Sequence, residues 1–278
     1  MEEVGAHVVY GMVGYKTHCK VCLVVRQEAD GIRRYCHLAT GNYNVRTSGI
    51  YSDLGLFTCR KDFGEDLTEL FNLLTGYTRP QKFHHLLLAP MGLREHFIGC
   101  IRREAEHARG GHPSRIIAKI NSLIDPAIIE ELYLASQAGV DIDLIVRGMC
   151  SLRPGLSGTS ERIRVLSIVD RYLEHARIFF FQNGGNPTCW LTSAAWMQRN
   201  FDRRIEIAFP IIDPQLQAKL RQILEIQLGD TAKGWSMQSD GTYVRTHSDG
   251  LCPIRSQEKL YELTQSEDGI SAAARGRL

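Results

Sequence analysis

Two short stretches of the chain carry the same reactive pattern. In Thr17-His18-Cys19-Lys20 a histidine and a cation two residues later lead into the apolar Val21-Cys22-Leu23-Val24-Val25; in Glu174-His175-Ala176-Arg177 they lead into Ile178-Phe179-Phe180-Phe181. Each pair reads as the opening of a strand, where alternation of side chains puts the histidine and its cation on one face. An imidazole can attack phosphorus, and a neighbouring ammonium or guanidinium offsets charge on the phosphoryl oxygens. A lone histidine at a strand start is more commonly structural, but its repetition with a cation argues for chemistry. His18 and His175 are therefore the catalytic candidates, with Lys20 and Arg177 as phosphate-binding candidates.

Each copy is followed, past a polar turn, by a second strand ending in small polar residues. In Thr40-Gly41-Asn42-Tyr43-Asn44 the asparagines serve either turn formation or amide donation to phosphate, with Gly41 allowing close backbone approach; Ser193 and Asn200 are their counterparts. Arg147 ends the apolar run Leu144-Ile145-Val146, the place where open α/β sheets bind ligands, and Lys119-Ile120-Asn121-Ser122 ends the preceding strand in the same way. Arg199, Arg203 and Arg204 lie among Asp202 and Glu206, as an ion-pair network or as a guide for a polyanion. No Walker-type phosphate loop and no kinase catalytic-loop signature occurs in the sequence.

The elements that must position these groups follow from periodicity. Residues 7–60 are strand-rich: His7–Tyr10, Lys20–Arg26 and Arg33–Leu38, the last two joined as a hairpin across Glu28-Ala29-Asp30-Gly31. Asp66–Leu74 has helical spacing, and Gly76–Gln81 reads as a linker. From His85 the order is strand (Leu86–Ala89), helix (Leu93–His107), strand (Ile116–Ile120), helix (Pro126–Ala138), strand (Ile142–Val146), which predicts parallel strands in an α/β sheet. Arg164–Val169, the second histidine strand with its partner, Asp202–Phe209 and a helix over Pro214–Leu228 complete the pattern. The polar end 266–278 is expected to fray. Glu2–Ala6 reads as the last turn of a helix, which implies a segment upstream.

At 278 residues, 44% hydrophobic and 23% charged, the chain is globular rather than disordered. A net charge of +2 does not call for nucleic acid or a membrane surface, so local basic clusters must carry any anion binding. No apolar run reaches the ~18 residues of a membrane span, and no signal-peptide pattern opens the chain. The eight cysteines are scattered, as expected of a reducing cytoplasm. Cys19 and Cys22 have the spacing of a redox or zinc motif, but no second pair completes a metal site, so no protein-held metal is predicted.

Over nearly its whole length the sequence resembles the C-terminal half of bacterial polyphosphate kinases of the histidine-phosphorylating type, whose catalytic domains have a phospholipase-D-like fold. The resemblance is carried by Gly14–Lys20, Arg34–Asn44, Tyr51–Leu56, Leu144–Gly148, Ser167–His175 and Trp196–Asn200. It implies two phospholipase-D-like α/β domains, 1–79 (incomplete at its N-terminus) and 80–265. It further implies reversible transfer of the ATP γ-phosphate to inorganic polyphosphate through phosphorylated His18, with Tyr51, Arg147 and His175 contacting the nucleotide and Lys20, Asn42, Arg177 and Arg199 the phosphates. Magnesium, ATP or ADP, polyphosphate and a homo-oligomer are implied as cofactor and partners, the arginines of the metal site lying upstream of this sequence. The sequence departs from the family pattern at Ala39, where glycine or serine is common, and at Ala195, where an aspartate is typical. A phosphodiesterase of the phospholipase D class and an inactive polyphosphate-binding remnant are the alternatives; Val25 occupies the aspartate position of the diesterase motif.

Overall fold

The computed structural model describes residues 2–76, 82–247 and 252–275. The first half contains β1 (Lys16–Thr17), β2 (Lys20–Glu28), β3 (Gly31–Ala39), α1 (Val45–Ser48), β4 (Tyr51–Ser52), β5 (Gly55–Thr58) and α2 (Lys61–Leu74). β2 and β3 form the expected hairpin, closing at Glu28↔Gly31 with Gly31 at φ +122°, and β5 extends it to a three-stranded sheet. Helix α2 buries Phe63, Leu67, Leu70 and Leu73, a stripe at helical spacing, and starts five residues before the expected Asp66. His7–Tyr10 forms no strand, because no described segment offers it a ladder partner; the pairing falls instead to the short β1. Residues 77–81, the body of the expected linker and the site of the domain boundary, lie outside the described residues.

The second half contains β6 (Leu87–Ala89), α3 (Leu93–Arg109), β7 (Arg115–Ile120), α4 (Pro126–Gln137), β8 (Asp141–Val146), β9 (Ile163–Ile168), β10 (Leu173–Glu174), β11 (Ile178–Phe181), β12 (Thr188–Thr192), α5 (Gln198–Arg203), β13 (Arg204–Ile211), α6 (Pro214–Leu228), β14 (Gly234–Met237), β15 (Tyr243–Arg245) and α7 (Ser256–Arg275). The large sheet has the order β1-β13-β12-β11-β7-β8-β9-β14-β15, with β6 also on β13. Of the three strands expected to be parallel, β7 and β8 are, and β9 continues them in parallel, whereas β6 is antiparallel to β13 on the far side of the histidine hairpin β11–β12. Helix α3 makes that crossover by laying Phe97 over Phe179 (ring centroids 4.5 Å apart) and Trp196 (5.8 Å). The end expected to fray is helical through Arg275, and 276–278 lie outside the described residues.

One apolar cluster lies under α3 and α4. The other is shared by both halves: Leu38, Leu67 and Leu70 join Leu88, Phe180, Phe209 and Leu224. Buried Asp66 of α2 reinforces that junction by accepting the backbone N–H groups of His84, His85 and Leu86 at 2.7, 2.8 and 2.9 Å. No helix among the described residues is long and apolar enough to cross a membrane.

Candidate active site

His18 stands between two strands rather than in one. β1 pairs in parallel with β13 through Lys16↔Arg204 and Thr17↔Ile205; the chain then bulges, so that the N–H groups of His18 and Cys19 both donate to the Ile205 carbonyl (2.9 and 3.1 Å). This brings the ring beside the next residue of β13: His18 Nδ1 is 2.8 Å from Glu206 Oε2. Glu206 is fully buried, and the same oxygen accepts from Ser193 Oγ at 2.5 Å. A carboxylate can only accept here, so Nδ1 carries the proton and Nε2 keeps its lone pair. Burial lowers the His18 pKa against the opposing pull of Glu206, which leaves the ring neutral near pH 7.

His175 repeats this construction with the halves exchanged. β4 and β10 pair in parallel through Tyr51↔Leu173 and Ser52↔Glu174, and His175 and Ala176 both donate to the Ser52 carbonyl (3.2 and 2.9 Å). His175 Nδ1 lies 2.7 Å from Asp53 Oδ1, which also accepts from Thr40 Oγ1 at 3.0 Å. Thr40 bonds the backbone of Leu54 as Ser193 bonds that of Ile207: its N–H donates to the carbonyl and its hydroxyl accepts from the N–H. Burial lowers the His175 pKa, again against its carboxylate. Burial alone would raise Asp53, but the His175 bond holds it below the ordinary carboxylate range.

The two cations hold these bulges. Lys20, 6% exposed, donates to the His18 carbonyl, and Arg177 Nη1 donates to the carbonyls of His175 (2.8 Å) and Thr40 (3.1 Å). Burial pulls Lys20 down to about 8 and Arg177 to about 10. Lys20 senses both Glu206 and Arg177, and Arg177 senses Glu206, Asp53 and Arg147, so the half-sites share one field. Arg177 Nε and Glu206 Oε1 are buried without a hydrogen-bond partner.

Tyr51 lies against His175, ring centroids 4.7 Å apart at 44°. Arg147, at the end of β8, donates Nε to Asn121 Oδ1 (3.0 Å); burial lowers its pKa, with Tyr51 and Asp53 opposing. Tyr51, Arg147 and His175 are thus brought together. The other sequence candidates divide. Asn42 is half-buried beside Gly41, where an added Cβ would lie 2.3 Å from the Asp53 carboxyl, so the close approach Gly41 permits is to that side chain. Asn44 caps α1 by accepting from the N–H groups of Arg46 and Thr47, whereas Asn200 Oδ1 accepts from Ala195 N–H at 2.9 Å and its Nδ2 is buried without a hydrogen-bond partner. Arg199 is exposed on α5 and touches neither histidine, while Arg204 lies 3.6 Å from Glu206. Lys119 is buried on Glu174 at 2.9 Å.

Asp53 and Glu206, the carboxylates that orient the histidines, were not singled out by sequence, although each stands one residue past the end of a short strand pairing. Each gives one oxygen to an imidazole and a hydroxyl, and no group of three or more His, Cys, Asp or Glu among the described residues could hold a metal ion. The residues present therefore do not fit a protein-held magnesium, which enters no step below.

The profile of polyphosphate kinase C-terminal domain 1 matches residues 1–80, and that of C-terminal domain 2 matches residues 86–257. The chain belongs to the polyphosphate kinase family. It is 57% identical over 243 residues to the polyphosphate kinase of Thermosynechococcus vestitus, covering 87% of this chain and 33% of that one. With the Synechocystis polyphosphate kinase it shares 55% identity over 245 residues, 88% of this chain and 34% of the other. The crystal structure of polyphosphate kinase from Porphyromonas gingivalis superposes with a TM-score of 0.91 at 39% identity, covering 97% of this chain and 42% of that one. The chain thus spans about a third of the length of these curated polyphosphate kinases.

Proposed function

We propose that this chain is the phosphoryl-transfer portion of a polyphosphate kinase, moving the γ-phosphate of ATP reversibly onto inorganic polyphosphate through His18. The observation that carries the reading is the Glu206 contact, which commits Nδ1–H and leaves Nε2 of a neutral imidazole as the nucleophile.

In the first half-reaction Nε2 forms a bond to the γ-phosphorus as the bond to the bridging oxygen breaks, and ADP leaves. The ring becomes a phosphoimidazolium whose positive charge faces Glu206. Lys20 and Arg177 offset charge on the phosphoryl oxygens, and the unpartnered Arg177 Nε–H is available to them. His175, oriented by Asp53, exchanges a proton with the leaving or entering phosphate oxygen, while Tyr51 and Arg147 contact the nucleotide. In the second half-reaction a terminal oxygen of polyphosphate attacks the phosphorus and the N–P bond breaks. The phosphoramidate is reactive in both directions, so the cycle is reversible. Asn42 and exposed Arg199 serve the polyanion further out.

A family assembled as a homo-oligomer in the cytoplasm, using magnesium-bound nucleotide, is the setting we assign; the eight free cysteines agree with a reducing compartment. The test is incubation with γ-labelled ATP. Acid-labile, base-stable label on the wild-type chain, absent from His18→Ala, is expected; equal labelling of that variant would end the covalent reading.

A further inference from the structure

His175, like His18, follows a parallel pairing only two residues long, but the residue before it is buried. Its ring is placed by the Ser52 carbonyl and by Asp53, and both come from a parallel pairing only two residues long. A ladder that short has little hold of its own. At the equivalent place in the first half-site the residue before the histidine is Thr17, which is exposed. Before His175 it is Glu174, 4% exposed.

The Glu174 carboxylate gathers four elements. Its Oε2 accepts from Lys119 Nζ of β7 (2.9 Å), Gln227 Nε2 of α6 (2.8 Å) and Ser52 Oγ of β4 (3.2 Å), and its Oε1 accepts from Gln257 Nε2 of α7 (2.7 Å). Burial by itself raises this carboxyl, yet Lys119, Gln257 and Ser52 hold it below the ordinary range, so it remains an anion. Gln257 also clasps the backbone of Tyr172, accepting from its N–H at 3.0 Å and donating to its carbonyl at 2.8 Å. Two adjacent residues anchor this turn of α7. Arg255 forms a two-point pair with Asp170 (2.8 and 2.7 Å), and Ser256 donates its N–H and hydroxyl to Asp230 (2.8 and 2.6 Å). The segment entering His175 is thereby bonded at residues 170, 172 and 174 to the first turn of one helix.

We propose that Glu174 is a positioning residue for His175, and that Gln257 is the group through which the C-terminal helix holds it. The inference deepens the reading of His175 as a reacting histidine, but its test needs neither ATP nor turnover, so the two fail separately. A stabilising ion pair alone would alter resistance to unfolding without touching the imidazole. A positioning contact keeps the ring opposite Asp53, whose carboxylate sets the tautomer.

The full chain labelled with nitrogen-15 histidine is titrated by NMR as wild type, Gln257→Met and Glu174→Gln. In the wild type His175 shows one neutral tautomer with the proton on Nδ1. Gln257→Met keeps the volume and loses the donor; the His175 signal then averages between tautomers and its pKa moves by at least ~0.5 unit toward the ordinary value. His18 stays unchanged as the internal reference. Glu174→Gln gives the same change more strongly. Because Glu174→Gln leaves Lys119 unneutralised and can fail to fold, the half-buried Gln257 decides. A His175 tautomer and pKa unaltered by Gln257→Met would overturn the proposal, as would equal changes at His18 and His175.

Discussion

His18 Nδ1 lies 2.8 Å from Glu206 Oε2, a residue 188 positions later in the chain, and the second histidine is held in return by Asp53 of the first half. Each half therefore supplies the imidazole of one site and the carboxylate of the other. Neither half carries a complete site, and one apolar cluster joins them.

Glu206→Gln tests the orienting role. The amide keeps the shape but cannot balance the imidazolium that forms on phosphoryl transfer, so the rate of phosphohistidine formation should fall on the order of 100-fold. Rapid-quench labelling with γ-labelled ATP measures this; an unaltered rate would remove Glu206 from the mechanism.

The pH profile should be bounded on both sides. Burial lowers His18, so its Nε2 stays free to attack until pH falls below the ordinary imidazole value. Lys20, held at about 8, loses its charge above that pH, and phosphoryl binding weakens there. Labelling of the wild-type chain from pH 5 to 10 should show a plateau between these limits, and Lys20→Arg should extend the alkaline side.

Lys20 also predicts a stability effect of definite sign. Its folded pKa lies below its unfolded value, so the charged form opposes folding below about pH 8, and this cost is relieved as pH rises toward the unfolded value. Lys20→Met should therefore be more stable than wild type near neutrality by on the order of 1–3 kcal/mol, the difference shrinking as pH rises above about 8. Urea midpoints at two pH values supply the comparison.

Gly41→Ala should act through Asp53. The new methyl carbon would stand 2.3 Å from that carboxyl, forcing Asp53 off the His175 ring. Labelling and nucleotide-dependent turnover should drop by roughly tenfold to 100-fold, with His175→Ala adding little further loss in the double variant.

Asp66→Ala leaves three buried backbone N–H groups without their acceptor. A loss on the order of 3 kcal/mol in unfolding free energy is expected, read from denaturant titration.

The two His-x-cation stretches were legible because everything that marks them lies within a few residues. The same holds for the β2–β3 hairpin, with Gly31 at its turn, and for the parallel pairing of β7 with β8. Position along the sequence could not show that β6 would cross the sheet to β13, because that depends on where Phe97 of α3 finds Phe179 and Trp196. Asp53 and Glu206 were hidden for a related reason: an acidic residue at a strand end looks the same whether it meets solvent or an imidazole more than a hundred residues away. Asn44, offered as a phosphate donor, is used locally by a helix cap, a competing role open to its short amide.

The most direct test is to locate the transferred phosphoryl group itself, by mass spectrometry and phosphorus–nitrogen NMR of the chain after reaction with ATP. The account predicts phosphorus on Nε2 of His18, with the Nδ1 proton retained opposite Glu206. Phosphorus on Nδ1, on His175, or on no histidine would contradict it.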